Sequence, residues 1–428
     1  GHRLLLKKNS PLKRHQVSED ATVTSENTTS RKGEGTGGGD PSPRQKKRRR
    51  RQPISARRLK KLKASRAALQ TPPEGEVEAE KRLEKDWRPA PLFAAKYAAI
   101  DLGTNNCLLL IASPHKQGFR VVDAYSRIVR LGEGVSRSGR LSDDAMDRTV
   151  EALKICADKV KQRRVTSLRS IATQACRMAE NGEEFLTRVR QETGLTFDLI
   201  TPEEEAGLSV RGCLDLTDPA SEAVLVFDIG GGSTEISWVR RVREATETRP
   251  ARHRIISWTS IPLGVVSVSE QFNGRDVSRE TYDEIVALVA DKVRAFEGAN
   301  DFRPLFEEGK AHLLGTSGTV TSIAGVHLGL KKYNRRDVDG IWLASERAVA
   351  LSEKLRGMTY EQRQREPCIG PDRADLVVPG CAILEGILTA WPSTRIRVAD
   401  RGLREGILSE LIARDRKTRS KRRRRRRR

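Results

Sequence analysis

The sequence predicts an α/β protein made of two related domains with a cleft between them. Segments with the apolar patterns of strands alternate along the chain with segments whose apolar residues recur at helical spacing. A strand–Asp-x-Gly–polar–strand unit occurs at residues 97–111 and again at 223–239, so both halves open on the same kind of hairpin. Repeated α/β halves pack as layered domains, and ligand sites often lie where two domains meet.

The positive charge of the chain is concentrated at its two ends. The formal net charge is +23, but residues 1–96 carry +14 and residues 414–428 carry +11, which leaves 97–413 near neutral at −2. Composition predicts disordered ends around a folded body, because neither end holds enough apolar residues to form a core. The predicted divisions are a basic tail over 1–92, a first domain over 93–222, a second over 223–400, a closing helix over 401–413 that packs on the first domain, and an arginine-rich tail over 414–428.

Individual elements follow from periodicity and from start and stop signals. A helix over 142–160 has Ser142 as its N-cap and two aspartates in its first turn, for example, and Gly194 ends a helix over 181–193. Further strands are predicted at 119–130, 165–172, 195–200, 254–262, 311–314 and 395–399. Further helices are predicted at 201–213, 279–296, 345–355, 372–391 and 404–412.

The second hairpin has the composition of a phosphate and metal site. Asp228 is followed by Gly230, Gly231 and Gly232, then by Ser233, and Glu235 follows on the returning strand. Glycines allow positive φ and close approach of backbone to a ligand, and exposed N–H groups in such a turn attract anions. Two flanking carboxylates suit a hard divalent cation. A tight structural hairpin would have a similar sequence, so the hairpin by itself does not decide the function.

Two more turns of the same character favour the phosphate-binding interpretation. The first hairpin carries Asp101, Thr104 and Asn105 between its strands. A third loop over 315–319 contains Ser317, Gly318 and Thr319 and precedes a helical segment, and helix N-termini bind anions. Three such loops in one chain predict a phosphate cleft.

Seven motifs, in order and at matching spacing, resemble the exopolyphosphatase/guanosine pentaphosphate phosphatase family. They are YAAIDLGTNNCLLLI, TQACR, EEEAGL, FDIGGGSTEI, GTSGTVTSIA, GPDRADLVVPG and VADRGLREGIL, and they cover residues 95–412. The resemblance implies the actin/hexokinase-like (ribonuclease H-like) ATPase fold in the short, two-domain form. Without an additional helical domain, a long polyphosphate channel is less complete, which slightly favours short chains or the nucleotide.

The resemblance also implies roles for individual residues. Glu205 matches the water-orienting base of the family, although Glu203 stands where the family has Asn, so Glu204 is kept as an alternative. Arg177 matches the arginine that grips the scissile phosphate. The implied ligands of Mg²⁺, or of another divalent cation, are Asp228, Glu235 and Asp101. The implied phosphate-binding residues are Thr104, Asn105, Gly230, Gly231, Gly232, Ser233, Ser317, Gly318 and Thr319, while Asp372, Arg373 and Asp375 are assigned structural roles.

Other functions stay open at this point. The fold would also suit a sugar kinase or a chaperone-like ATPase, and the basic tails would suit a polyphosphate or alarmone sensor that associates with nucleic acid. The tails could instead concentrate polyphosphate near the cleft. Six scattered cysteines without metal-type spacing and the lack of a long apolar run predict a cytoplasmic protein with no membrane contact. A homodimer is left open.

Overall fold

Two mixed β-sheets form the body of the protein in a computed structural model that describes residues 95–425, except 116–117, 244–251 and 297–299. These described residues belong to one compact unit. The basic tail predicted over 1–92 lies outside the described residues. The two predicted hairpins form the first two strands of each sheet in chain order.

The first sheet has the strand order β3-β2-β1-β4-β5. Strands β1, β2 and β3 form an antiparallel meander, and β4 and β5 are added parallel to β1. The strands are β1 Tyr97–Leu102, β2 Asn106–His115, β3 Gly118–Ile128, β4 Ser167–Ala172 and β5 Asp198–Leu199.

The second sheet repeats this order and adds one strand at its edge. Its order is β10-β11-β9-β6-β7-β8, in which β6, β7 and β8 form the meander and β9 and β11 are parallel to β6. The strands are β6 Ala223–Ile229, β7 Thr234–Arg243, β8 Arg252–Ile261, β9 Ala311–Thr316, β10 Trp342–Ala344 and β11 Arg395–Ala399. The matching order and direction confirm the predicted fold class of two related α/β halves.

Helices cover the sheets and connect their parallel strands. Helix α2 shows the local reasons for its position: the Ser142 side chain accepts a hydrogen bond from the Ala145 N–H, and two aspartates occupy the first turn. The helices are α1 Val135–Ser138, α2 Asp143–Gln162, α3 Gln174–Met178, α4 Gly182–Thr193, α5 Pro202–Cys213, α6 Val265–Phe272, α7 Arg279–Arg294, α8 Arg303–Glu307, α9 Gly318–His327, α10 Arg335–Val338, α11 Ser345–Arg356, α12 Tyr360–Arg365, α13 Val377–Ala390 and α14 Leu403–Arg425.

Each sheet has its own hydrophobic core. In the second half Trp238 on β7 stacks on Phe302 with 4.3 Å between the ring centroids, and Trp391 packs edge-on against it at 5.0 Å. All six cysteines are buried and free, as predicted for small core residues. None of the helices in the described part of the chain is both long and apolar enough to span a bilayer.

Helices α5 and α14 cross in direct backbone contact between the two sheets. A Cβ atom added to Gly212 would lie 1.8 Å from the Gly402 carbonyl oxygen, and one added to Gly406 would lie 2.0 Å from that of Leu208. Leu208 belongs to the core of the first sheet, whereas Cys213, on the same helix, belongs to a cluster with strands of the second. The crossing therefore joins both halves at one point.

The largest differences between predicted and observed boundaries concern three segments. The strand predicted at 195–200 is reduced to Asp198–Leu199 because it pairs only with the end of β4. The helix predicted from residue 372 begins at Val377, after a series of turns. Helix α14 continues to Arg425 rather than ending at residue 412. Residues 414–425 are therefore helical, since arginine and lysine favour helix and no breaker interrupts them.

Candidate active site

The first predicted phosphate loop follows strand β1. The carbonyl oxygen of Asn105 accepts hydrogen bonds from the N–H groups of Val129 and Arg130, at 2.9 and 3.0 Å, which fixes the loop against the end of β3. Asp101 Oδ1 and Asn105 Oδ1 are buried and have no hydrogen-bond partner among the described residues. Buried polar atoms without partners are unfavourable, and a missing ion or ligand is one common explanation for them.

The glycine-rich second loop is pressed against the first. A Cβ atom on Gly231 would lie 2.9 Å from Thr104 Cβ, and one on Gly232 would lie 2.9 Å from Thr104 Oγ1. None of Gly230, Gly231 and Gly232 has positive φ. Glycine is thus required here for close approach between the two loops, and not for a left-handed turn.

Two carboxylates face each other across this hairpin. Asp228 and Glu235 are directly paired residues of β6 and β7. Ser209 Oγ donates a 2.7 Å hydrogen bond to Asp228 Oδ2. Ser233 Oγ and Ser260 Oγ donate to Glu235 Oε1 at 2.6 and 2.8 Å. Each carboxylate is therefore held in a defined position by hydroxyl donors.

Ser209 and Ser260 are not among the site residues predicted from the sequence. Ser209 lies four residues after Glu205 in α5, so helical spacing could have placed it on the same face. Ser260 is the cross-strand partner of Glu235 on β8. Its role depends on a strand register that no local motif indicates.

The third loop contains a strained residue at the start of helix α9. Ser317 has φ 87° and ψ 177°, a backbone region that is essentially restricted to glycine. Its Oγ is buried and lacks a hydrogen-bond partner among the described residues. Strain and an unsatisfied hydroxyl coincide at a loop that the sequence predicts to bind phosphate.

Glu205, in the first turn of α5, forms an ion pair with Arg177 of the short helix α3. Arg177 Nη1 lies 3.2 Å from Glu205 Oε2 and donates to the Ile200 carbonyl oxygen at 2.8 Å, while Nη2 donates to Gln174 Oε1 at 2.8 Å. The Glu205 side chain is 12% exposed. The Arg177 guanidinium therefore holds the Glu205 carboxylate in place.

The neighbouring Glu204 has a different environment. Arg169 on β4 binds its carboxylate, and the Glu204 side chain is 41% exposed. Glu203 is exposed as well. Glu205 is the most buried of the three consecutive glutamates. It also interacts electrostatically with Asp101 and Asp228.

Burial and mutual repulsion raise the pKa values of the whole carboxylate group. Burial, reinforced by Asp228, raises the pKa of Asp101 to about 7, although Arg404 opposes the shift. Burial likewise raises the pKa of Glu205 to about 7 against the lowering effect of Arg177. Burial, with Glu205 and Asp228, raises the pKa of Glu235 to about 8. Burial also raises the pKa of Asp228. Four acidic groups thus converge on one buried region, where a cation or a proton would relieve their repulsion.

The predicted metal ligands do not form a closed cage. Within the described ranges, no three Asp, Glu, His or Cys side chains are grouped closely enough to hold a metal ion by themselves. Mg²⁺ is commonly bound by one or two carboxylates together with substrate phosphates and water. The unsatisfied Asp101 Oδ1 and the oxygen-only donors fit that mode of binding.

The residues assigned structural roles include one close to the third loop. Asp375 forms a bidentate ion pair with Arg130, at 2.8 and 2.9 Å, which joins the two halves. A Cβ atom on Gly318 would lie 3.7 Å from Arg373 Nη1, so this guanidinium is nearer to the predicted phosphate loop than the sequence indicates.

Comparison with known proteins identifies the class to which this fold and site belong. A family model described as the Ppx/GppA phosphatase family matches residues 110–415. A structure of the Aquifex aeolicus member of that family is 25% identical, with a TM-score of 0.59, over 75% of this chain and 98% of that one. An exopolyphosphatase-like protein is 29% identical with a TM-score of 0.65, over 74% and 97% of the two chains. An exopolyphosphatase from Cytophaga hutchinsonii, 22% identical with a TM-score of 0.64 over 74% and 98%, shares the fold.

The chain belongs to the Ppx/GppA phosphatase family. The predicted family is confirmed, and with it the actin/hexokinase-like fold class. The matched structures are covered almost completely by the body of this chain, which agrees with the short form.

Proposed function

We propose that the protein hydrolyses terminal phosphoanhydride bonds of inorganic polyphosphate, guanosine pentaphosphate or both, by metal-assisted attack of a water that Glu205 activates. The observation that carries this proposal is the convergence of a buried Glu205–Arg177 pair and three further carboxylates on loops with unsatisfied polar groups. Family membership supports a phosphatase, and the substrate within the family is our inference.

The three loops supply the phosphate contacts. Backbone N–H groups of Gly231–Ser233 and of Ser317–Thr319, with the hydroxyl of Thr104 and the amide of Asn105, would donate to phosphate oxygens, whereas the Gly230 N–H closes the turn. Their donors are fixed before substrate arrives, because the loops are held by backbone hydrogen bonds such as Gly230 N–H to the Ser233 carbonyl oxygen at 2.9 Å.

Glu205 would accept the proton of the attacking water. A base works best when its pKa lies near the working pH, and burial raises the pKa of Glu205 to about 7. The water oxygen bonds to the terminal phosphorus, the anhydride P–O bond breaks, and its electron pair leaves with the shortened chain. Arg177, with its planar fork, would hold Glu205 and meet the transferred phosphate.

A divalent cation, with Mg²⁺ the expected one, would be held by Asp228, Glu235 and Asp101 together with substrate oxygens. When bound it would neutralise phosphate charge and the repulsion among these carboxylates. Ser209, Ser233 and Ser260 orient two of the three side chains through the hydrogen bonds described above.

Phosphate release by the full-length protein with Mg²⁺ tests the proposal. Linear polyphosphates of several lengths and guanosine pentaphosphate are compared as substrates. Glu205→Gln is expected to lower kcat by about 10²–10⁴-fold with little change in KM, since it removes proton transfer and not phosphate binding. Glu204→Gln is the matched control and should behave like the parent, because its carboxylate is ion-paired with Arg169.

Full activity of Glu205→Gln would contradict the assigned base. If Glu204→Gln were the inactive variant instead, the two glutamates would exchange roles. Phosphate release from neither polyphosphate nor guanosine pentaphosphate by the parent would contradict the proposed reaction itself.

A polyphosphate or alarmone sensor associated with RNA is the second candidate. It is favoured by the basic sequence that follows the body, where nine of the last ten residues of the chain are Lys or Arg. This candidate predicts tight binding of substrate-like phosphates without turnover. It also predicts RNA binding that depends on the basic ends of the chain.

A further inference from the structure

A cavity of about 430 Å³ lies between the two halves, beside the proposed cleft. Its charged lining consists of Arg130, Glu133 and Arg137 from the first half and Glu270, Arg275 and Asp375 from the second. Resting on the proposed function, we propose that this cavity is a distal subsite for linear polyphosphate, with Arg137 and Arg275 as its anion-binding groups.

The three acidic residues of the cavity are already engaged. Asp375 accepts both hydrogen bonds from Arg130. Glu270 accepts from the Gly134 N–H at 2.6 Å and from Ser136 Oγ at 2.7 Å. Glu133 lies 3.5 Å from Arg148. Asp375 and Glu133 are thus paired with the cations Arg130 and Arg148, whereas Glu270 is held by neutral donors and keeps its negative charge.

Two of the three arginines keep their donors available. The side chains of Arg137 and Arg275 form no hydrogen bond or ion pair with other residues in the described part of the chain. The Arg275 guanidinium lies over the ring of Tyr360, 4.3 Å from its centroid, which orients the group without using its N–H donors. The cavity thus presents two guanidinium groups whose N–H donors are available, although Arg275 also interacts electrostatically with Glu361. Guanidinium groups are the preferred protein partners of phosphate oxygens.

Both walls of the cavity continue directly from predicted phosphate loops. The Arg130 N–H donates to the Asn105 carbonyl oxygen at 3.0 Å, and the Val266 N–H donates to that of Gly231 at 2.8 Å. Val266 and Arg130 both line the cavity. A phosphate chain whose end is held by these two loops would extend past them into the cavity.

The lining favours a linear phosphate chain over a nucleoside. Among the described residues that form it, none is aromatic, and Val266 and Leu376 are the only apolar side chains of any size. Base recognition generally uses aromatic stacking and an apolar pocket. The volume is within the range of about 300–1,000 Å³ that is typical of ligand pockets. A chain of several phosphates therefore matches the cavity in size and in its guanidinium donors, whereas the lining offers a guanine base no aromatic ring to stack on.

Steady-state phosphate release with the full-length chain tests this subsite. The double variant Arg137→Gln/Arg275→Gln is expected to raise KM for long-chain polyphosphate about tenfold or more and to leave KM and kcat for tripolyphosphate unchanged. Guanosine pentaphosphate should also be unaffected. Arg190→Gln/Arg336→Gln, which removes two exposed charges elsewhere, is the matched control and retains the same basic ends.

Equilibrium binding of long-chain polyphosphate separates this proposal from the proposed reaction. The parent could bind long-chain polyphosphate without releasing phosphate while the double variant binds it at least tenfold more weakly than the control. That result would support the distal subsite and contradict the proposed hydrolysis. If the parent turns over substrate but the double variant and the control have equal KM and affinity for long chains, the subsite is wrong. Equal losses with tripolyphosphate, or a change confined to guanosine pentaphosphate, would also overturn it.

Discussion

Ser317 combines a strained backbone conformation with a buried hydroxyl group that lacks a hydrogen-bond partner among the described residues. Its dihedral angles lie in a backbone region that is essentially restricted to glycine, although Ser317 carries a side chain. Such a conformation costs on the order of 1–3 kcal/mol and persists where the surrounding structure enforces it. Ser317 adopts this conformation within the predicted phosphate loop, directly before α9 begins.

Substitution at Ser317 should therefore separate stability from function. Ser317→Gly is expected to raise the free energy of unfolding by about 1 kcal/mol, because relief of strain exceeds the added entropy of the unfolded chain. It should also weaken phosphate binding, because the hydroxyl is removed. Denaturant unfolding and KM for phosphate release measure the two effects.

Ser317→Ala distinguishes the two causes. Alanine keeps the strain and removes the hydroxyl, so it should reproduce the rise in KM without the gain in stability. Equal stability of the Gly and Ala variants would show that the backbone of Ser317 is not strained.

At the scale of secondary structure, the crossing of α5 and α14 positions two side chains of the proposed site. Helix α5 carries Glu205 at its N-terminal end and Ser209 one turn later. Gly212 on the same helix contacts the backbone of Gly402, just before α14 begins. A shift at this contact would move both side chains relative to the phosphate loops.

Gly212→Ala should accordingly impair both folding and activity. The added Cβ meets backbone at 1.8 Å, which no rotamer change relieves. We expect a decrease of about 1–3 kcal/mol in the free energy of unfolding, as for other overpacked sites, together with a lower kcat. Thermal or denaturant unfolding and phosphate release provide the measurements.

The same helix offers a control at Gly207, which has nothing within 4 Å of an added Cβ. Gly207→Ala is expected to stabilise the protein by about 0.5–1 kcal/mol through helix propensity. Destabilisation of comparable size in both variants would show that the close backbone contact at Gly212 is not its cause.

At the scale of the whole molecule, the net positive charge and the proposed site lie in different parts of the chain. The near-neutral body contains the predicted cleft, and the net positive charge of the chain lies at its two ends. Helix α14 connects the two regions, because it starts beside the cleft and continues into the arginine-rich sequence. Within α14, the Arg416 guanidinium donates a 3.2 Å hydrogen bond to the His115 carbonyl oxygen at the end of β2, which attaches this part of the helix to the first sheet.

Replacement of the nine Lys and Arg residues in 419–428 by Gln should weaken binding of single-stranded RNA or polyphosphate without altering the cleft. For a single strand, the slope of log K against log salt becomes shallower by about 0.7 for each phosphate that the protein no longer neutralises. Titrations at several salt concentrations measure this slope. An unchanged slope would exclude this end of the chain as the polyanion-binding segment, and the tail over 1–92 would then be tested in the same way.

Local sequence is sufficient for much of the fold and for the outline of the site. The two Asp-x-Gly hairpins, the three loops and helix α5 follow from residue types and periodicity, because these fix dihedral angles over short distances. Family resemblance adds Glu205 and Arg177. The predicted end of α14 at residue 412 is wrong, because arginine and lysine favour helix and neither Gly nor Pro follows in the sequence.

The sequence by itself thus determined which local structures form and which residue types carry the chemistry. Only the tertiary structure decided how they meet: Glu204 is bound by Arg169 while Glu205 is held by Arg177, and Thr104 packs against Gly231. These contacts join residues that are distant in the chain, and they depend on how two sheets dock around one helix crossing. Periodicity and motif spacing contain no information about that docking, because it is set by side-chain and backbone packing across the whole fold.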